Sequence, residues 1–132
     1  MNPKKQKSAY QSPWPLWIQL ILIIWRFFWL VSCRWTPKLF NPWRVLVLKL
    51  FGAKISGIPF IHSTAKIQIP WNLTMEHRSC LGEFANAYSL GKIEIMEGAT
   101  VAQEAYLCSG THDFQDPALQ LITKPITIGK NS

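Results

Sequence analysis

From Ile55 onward an aliphatic side chain recurs every six positions: Ile55, Ile61, Ile67 and Leu73. After a two-residue slip the series continues as Met75, Leu81, Ala87 and Ile93, and after another as Ile95, Val101 and Leu107. Small residues stand four places after the aliphatic one: Ala65, Ser79, Ala85, Gly91, Ala99, Ala105 and Thr111. This is neither the 3.6 period of a helix nor the strict alternation of a long strand. A period of six suits a chain coiling in short flat strands, three to a turn, with aliphatics pointing inward. Successive turns then stack at the ~4.8 Å strand spacing and close one another's backbone hydrogen bonds. The segment Ile55–Thr111 holds about three such turns. It lacks Asn-Gly and Asp-Gly hairpin dipeptides, which counts against an ordinary antiparallel sheet.

The rhythm stops at a histidine. In LCSGTHDFQDPALQLITKPITIG, residues 107–129, His112 ends the repeat, a polar proline-containing excursion follows, and the spacing resumes at Ile126 and Ile128. An apolar coil that breaks off at a titratable side chain, leaves for a loop and returns points to a working edge.

The first 52 residues follow a different pattern. Leu16 to Val31 is apolar except for Gln19 and Arg26, which reads as a helix. Gln19, Arg26 and Cys33 recur every seven positions and predict a narrow polar stripe on it. Such a helix is expected to lie in a membrane interface with Arg26 snorkelling, or to be re-entrant, in preference to spanning, because both flanks are basic. A second helix is marked by Asn41 as N-cap, Pro42 at the first helical position and Gly52 just past the end. The competing reading is that both helices pack on the following domain or on a neighbouring subunit. The expected organisation is a basic disordered tail over 1–13, apolar basic helices over 14–52 and the coil over 53–132.

Charge sharpens the division. Residues 1–54 hold nine Lys/Arg and no Asp or Glu, and six of the seven tryptophans; residues 55–132 hold five basic and seven acidic residues. Nucleic-acid surfaces set cations on a polar scaffold, whereas here they flank long apolar runs, so a membrane surface is expected and nucleic acid is not. Cys33, Cys80 and Cys108 are odd in number and widely spaced, which argues against a disulfide framework and for buried, reduced thiols in a cytosol-facing protein. His62, His77 and His112 lack the close pairing of a zinc ligand set, so no metal is expected.

The chain resembles the left-handed parallel β-helix hexapeptide-repeat acyltransferases, in particular the colanic acid biosynthesis acetyltransferase branch, related to the maltose and galactoside O-acetyltransferases. LFGAKISG, IHSTAKI, PWNL, LCSGTHDF and PITIG carry the resemblance, together with WTPKLF and NPWRVLVLKLFGAKI in the front part. The left-handed coil is implied by the resemblance; the period alone does not fix the hand. It also implies acetyl transfer from acetyl-CoA, a co-substrate rather than a tightly bound cofactor, to a sugar hydroxyl in exopolysaccharide biosynthesis. His112 matches the family's general base, and imidazole suits proton transfer near neutral pH. Asn86, Tyr88, Ser89, Asp113 and Asp116 are the candidate acceptor-side residues, Asp113 and Asp116 being equally readable as caps of the loop. Ser109 and Gly110 are candidates for the oxyanion and donor side. The acceptor is expected to be a sugar or lipid-linked oligosaccharide at the inner face of the plasma membrane, and the assembly a homotrimer.

The sequence ends at Ser132, soon after the rhythm resumes, where the resemblance implies further turns lining the acetyl-CoA groove. A truncated chain is therefore expected, with trimer formation in doubt. The alternative reading is a catalytically inactive, membrane-associated β-helical fragment with an interaction role at most.

Overall fold

The computed structural model describes residues 3–132. The coil is a parallel β-helix of three turns. The first is β1 (Lys54–Ile55), β2 (Phe60–Ile61) and β3 (Lys66–Ile67). The second is β4 (Leu73–Met75), β5 (Cys80–Leu81) and β6 (Asn86–Tyr88). The third is β7 (Ile93–Ile95), β8 (Thr100–Val101) and β9 (Tyr106–Cys108). The chain then leaves as an antiparallel hairpin, β10 (Gly110–His112) and β11 (Leu121–Thr123), and returns as β12 (Ile126–Ile128) beside β7.

Three parallel sheets result, with β1-β4-β7-β12 on the first face, β2-β5-β8 on the second and β3-β6-β9 on the third. Thr74 pairs with Glu94, Cys80 with Thr100 and Asn86 with Tyr106, so one turn advances twenty residues on every face. The two residues beyond three hexapeptides fall at one corner, between the third face and the first. The two slips in the sequence mark that corner. Inward aliphatics fill the bore: Ile61, Leu73, Met75, Leu81, Ile93 and Ile95 are all buried, and so are the small corner residues Ala65, Ser79, Ala85 and Ala99. Thr111 departs from the expected series. It belongs to the hairpin and is exposed, because the coil has already been left at Ser109.

Two helices precede the coil, α1 (Leu16–Ser32) and α2 (Asn41–Leu50). One face of α1 carries Ile18, Leu22, Trp25 and Trp29 at helical spacing and is buried. Trp25 is its anchor: the indole N–H donates to the Ile67 carbonyl at 2.9 Å, and the ring packs on Trp29 and Phe51 at 5.2 and 5.0 Å between centroids. Cys33 lies at the end of this buried row and is fully enclosed, so the expected stripe of Gln19, Arg26 and Cys33 is not a single polar face. Cys33 is apolar enough to go inside, and Arg26 is left at the exposed border.

Asn41 is not the N-cap of α2 but its first residue; Phe40 takes the cap position. The Asn41 amide instead bridges to β2, donating to the Pro59 carbonyl and accepting the Ile61 N–H, both at 2.9 Å. Arg44 is buried beside it and donates to the carbonyls of Ile61 and Pro37 and to the Thr36 hydroxyl. Edge groups of the first turn are thus paired by two side chains of α2, as buried polar groups require. Gly52 ends the helix with φ +95°, a conformation that favours glycine.

Residues 3–13 carry a fixed turn, with the Lys4 N–H on the Pro13 carbonyl and Gln6 buried. The Gln6 N–H donates to Gln120 Oε1 at 2.7 Å, Gln120 Nε2 donates back to the Gln6 carbonyl, and the Leu121 N–H donates to Gln6 Oε1 at 3.1 Å. These bonds tie the segment ahead of α1 to the hairpin.

Candidate functional site

The hairpin is built from local hydrogen bonds. Asp113 Oδ1 accepts the Gln115 N–H at 3.0 Å and Asp116 Oδ1 accepts the Ala118 N–H at 2.8 Å, the short-range turns that aspartate favours. The Leu119 N–H then returns to the Asp116 carbonyl, with Leu119 itself at φ +49°. Asp113 and Asp116 each cap the loop through one oxygen. Neither holds the imidazole.

The partner of His112 is a main-chain group. Its Nδ1 lies 2.9 Å from the Leu119 carbonyl oxygen, which can only accept. In the neutral ring the proton therefore sits on Nδ1, and Nε2 is left as the acceptor. His112 is exposed on its strand, open to a substrate. The Asp113 N–H donates to the Gln120 carbonyl at 2.8 Å, so the residues on either side of this contact are pinned too. A base needs an unprotonated nitrogen held in one orientation, and this arrangement supplies both.

Ser109 is spent on structure. It is buried; its N–H and its hydroxyl both donate to the Tyr88 carbonyl, at 3.3 and 2.7 Å, and its Oγ accepts the Gly91 N–H at 2.9 Å. With both donors committed, it has none to offer an oxyanion. Ser89, one turn earlier, is likewise buried, with Oγ accepting the Ile69 N–H and donating to the Ile69 carbonyl. It is therefore unavailable to an acceptor sugar. Gly110 sits where a Cβ would come within 2.8 Å of the Leu90 side chain, so the absence of a side chain lets the hairpin leave close against the coil. A cavity of about 460 Å³ opens along this exit, between Cys108–Thr111 on one strand and Ile122–Ile126 on the other.

Asn86 and Tyr88 point outward from β6, on either side of inward Ala87. The Tyr88 ring packs against Tyr106 of the next turn at 5.8 Å. Tyr106, Leu119, Gln120 and Gln6 are part of the neighbourhood that the sequence did not single out. Only Tyr106 had a readable signal, its outward place twenty residues after Asn86.

His62 and His77 make local contacts. His62 Nδ1 accepts the Thr64 N–H at 3.2 Å, and His77 Nδ1 accepts the Ile58 N–H at 3.1 Å. Among the described residues, no three His, Cys, Asp or Glu side chains gather as a metal-ligand set. Cys33 is buried, Cys80 half-buried and Cys108 exposed, so the expectation of uniformly buried thiols fails at Cys108. Its outward place on β9 puts the sulfur beside the hairpin, 3.0 Å from the Gly110 carbonyl.

Among proteins similar to this chain are WcaF of Escherichia coli strain K12 and WcaF of Shigella flexneri, each provisionally named a colanic acid biosynthesis acetyltransferase. Each is 38% identical over 96 residues, which is 73% of this chain and 53% of the relative. The chain thus spans about half the length of the curated relatives it matches. No family model matches it. The resemblance read from the sequence, to the colanic acid biosynthesis acetyltransferase branch, is borne out by these relatives.

Proposed function

We infer that this chain, as a relative of the colanic acid biosynthesis acetyltransferases, moves an acetyl group from acetyl-CoA to a sugar hydroxyl of an exopolysaccharide precursor, with His112 as general base. The observation that carries this is the Nδ1–H to Leu119 carbonyl bond, which leaves Nε2 free to take a proton. Nε2 accepts the hydroxyl proton as the sugar oxygen attacks the thioester carbon. The tetrahedral intermediate collapses with breakage of the C–S bond. The imidazolium then returns its proton to the departing CoA thiolate, leaving the O-acetyl sugar and free thiol. Of the two oxyanion candidates Gly110 remains, since Ser109 is committed to the coil. The left-handed coil and a homotrimer, both implied by the resemblance, belong to this proposal.

We place the reaction at a membrane surface. Among the described residues no helix is long and apolar enough to cross a membrane. Yet the face of α1 turned away from the coil is apolar, with Leu16, Leu20, Ile23, Phe27 and Val31 each more than half exposed. A helix apolar on both sides, one against protein and one open, suits an interface between coil and lipid, and its Lys/Arg surroundings suit an anionic leaflet.

The test is acetyl transfer from acetyl-CoA to oligosaccharide acceptors by this chain, alone and joined to the corresponding C-terminal part of the Escherichia coli relative. Turnover that falls about 100-fold or more in His112→Ala, with the melting temperature unchanged, supports the reading. Absence of His112-dependent turnover in both versions overturns it, and leaves an inactive interaction piece.

A further inference from the structure

We propose that the cavity between α1 and the third face of the coil binds a phosphate group carried on an apolar chain, and so holds the lipid end of a lipid-linked sugar. The cavity measures about 340 Å³, and Arg26, Arg34 and Lys66 all line it without any acidic side chain. Three cationic residues line one space with no carboxylate among them, the Arg34 guanidinium also lying 5.0 Å from the Trp35 ring centroid, and they leave positive charge to be met by a ligand. A second observation points the same way. Trp29 lines this cavity, is about nine-tenths buried, and has an indole N–H with no acceptor. Trp25, one turn of α1 away, shows the ordinary outcome, an indole N–H satisfied by a backbone carbonyl. Buried polar groups are seldom left unpaired in this way. A phosphate oxygen is an acceptor of the kind Trp29 lacks, and since the N–H is itself closed to solvent, the pairing requires the indole to turn toward the cavity.

The surroundings select a lipid over a free anion. Leu30 forms part of the wall and is itself more than half exposed, on the apolar side of α1 next to Phe27 and Val31. Apolar surface therefore borders the cationic cavity, as a headgroup site at a bilayer requires. Asn86 lines the cavity too, and in the parallel register Lys66, Asn86 and Tyr106 follow one another up the third face. Two rungs of the coil span roughly 10 Å at the usual strand spacing. From Tyr106 the strand runs through Cys108 to the hairpin that holds His112. A sugar attached to a phosphate in the cavity would lie along this face, on the side that leads to the base.

The proposal deepens the acetyl-transfer reading but is tested by binding alone, so either can fail without the other. The full chain is floated with phosphatidylcholine vesicles, with and without polyprenyl phosphate, and with vesicles in which phosphatidylglycerol supplies the same negative charge. The expected result is at least tenfold tighter binding to polyprenyl phosphate than to either other vesicle. Arg34→Gln with Lys66→Gln removes that preference and leaves binding to neutral vesicles unchanged; Trp29→Phe, which removes the indole N–H together with part of the ring, weakens it severalfold. Equal binding to phosphatidylglycerol, or a preference indifferent to the double substitution, means general surface attraction and overturns the site. Full competition by inorganic phosphate at matched concentration also overturns it, because the anion then needs no lipid. Unchanged vesicle preference in His112→Ala, with acetyl transfer abolished, separates this site from the catalytic one and supports it.

Discussion

The same corner of the coil is turned twice after a serine, and the two passages end differently. After β6, Ser89 locks to Ile69, and Leu90, Gly91 and Lys92 carry the chain directly into β7. After β9, Ser109 locks to Tyr88 and Gly91 in the equivalent place, twenty residues on. There the chain departs through Gly110 into the hairpin before reaching β12. The structural device is retained and the hairpin is added outside it. Because the lock lies at the base of the hairpin, His112 is carried by an insertion that leaves the stacking of the coil undisturbed. The lesson is that Ser89 and Ser109 define the corner, while the hairpin that carries His112 begins one residue later.

The comparison breaks most sharply if the third corner is rebuilt as the second. Replacing residues 110–125 by Leu-Gly-Lys joins Ser109 to Ile126 as Ser89 is joined to Ile93. The expected product keeps its β-type circular dichroism and melts cooperatively, while acetyl transfer drops to background. Loss of cooperative melting would show instead that the hairpin is part of the fold.

Next in size is the lock itself. Ser89→Ala strips a hydroxyl that satisfies both the N–H and the carbonyl of buried Ile69. Leaving such groups unpaired costs about 2 kcal/mol, read as a melting temperature lower by roughly 8 °C. Ser109→Ala is expected to cost a similar amount and to lower turnover as well, since the hairpin hangs from it. A Ser109→Ala protein with full stability and lost activity would return that residue to the oxyanion role.

The sequence disclosed the coil because its demands repeat. An inward corner must be aliphatic or small on every turn, so Ile61, Leu81 and Val101 betray the fold, and the two slips mark the corner that later opens. The place of His112 was legible for the same reason, as an interruption of a regular pattern. What supports it was not. Its partner is the Leu119 carbonyl, a group every residue possesses, and Gln6 meets Gln120 across 114 positions through ordinary amides. Asn41 misled for a related reason: its side chain suits a helix cap, but the unpaired groups of Pro59 and Ile61 made the stronger claim. Arg44, a charged residue on an apolar helix, is buried because three oxygen acceptors surround it.

That long-range amide pair offers a finer test of how the hairpin is held. Gln6→Ala removes the side-chain acceptor of the Leu121 N–H and the anchor of the segment ahead of α1, yet touches neither His112 nor the coil. Turnover is expected to fall about 3- to 10-fold through kcat, matching the loss of roughly one hydrogen bond's orientation. Nitrogen NMR of the imidazole checks the cause: His112 loses its preference for the Nδ1–H tautomer in Gln6→Ala and recovers it in part in Gln6→Glu, which keeps the acceptor. An unaltered tautomer with lower kcat would place the effect elsewhere.

The smallest effect concerns the thiols, which report on the outward and inward sides of the coil without altering it. Burial pushes the Cys33 thiol up, with the Ser32 hydrogen bond and Arg44 opposing, and burial alone raises Cys80. Cys108 stands exposed at the foot of the hairpin. Alkylation near pH 8 should therefore modify Cys108 first and Cys33 last, as peptide mapping over time would show, because Cys108 is exposed while burial both hides the Cys33 thiol and holds it protonated. The raised pair also fixes a sign. Above the ordinary thiol range the unfolded chain ionises before the folded one, so the folded state holds more protons and stability declines as pH rises through that window. Cys33→Ala together with Cys80→Ala should flatten that decline. A decline that survives the double substitution would assign it to other groups, and would leave the contrast in reactivity to access alone.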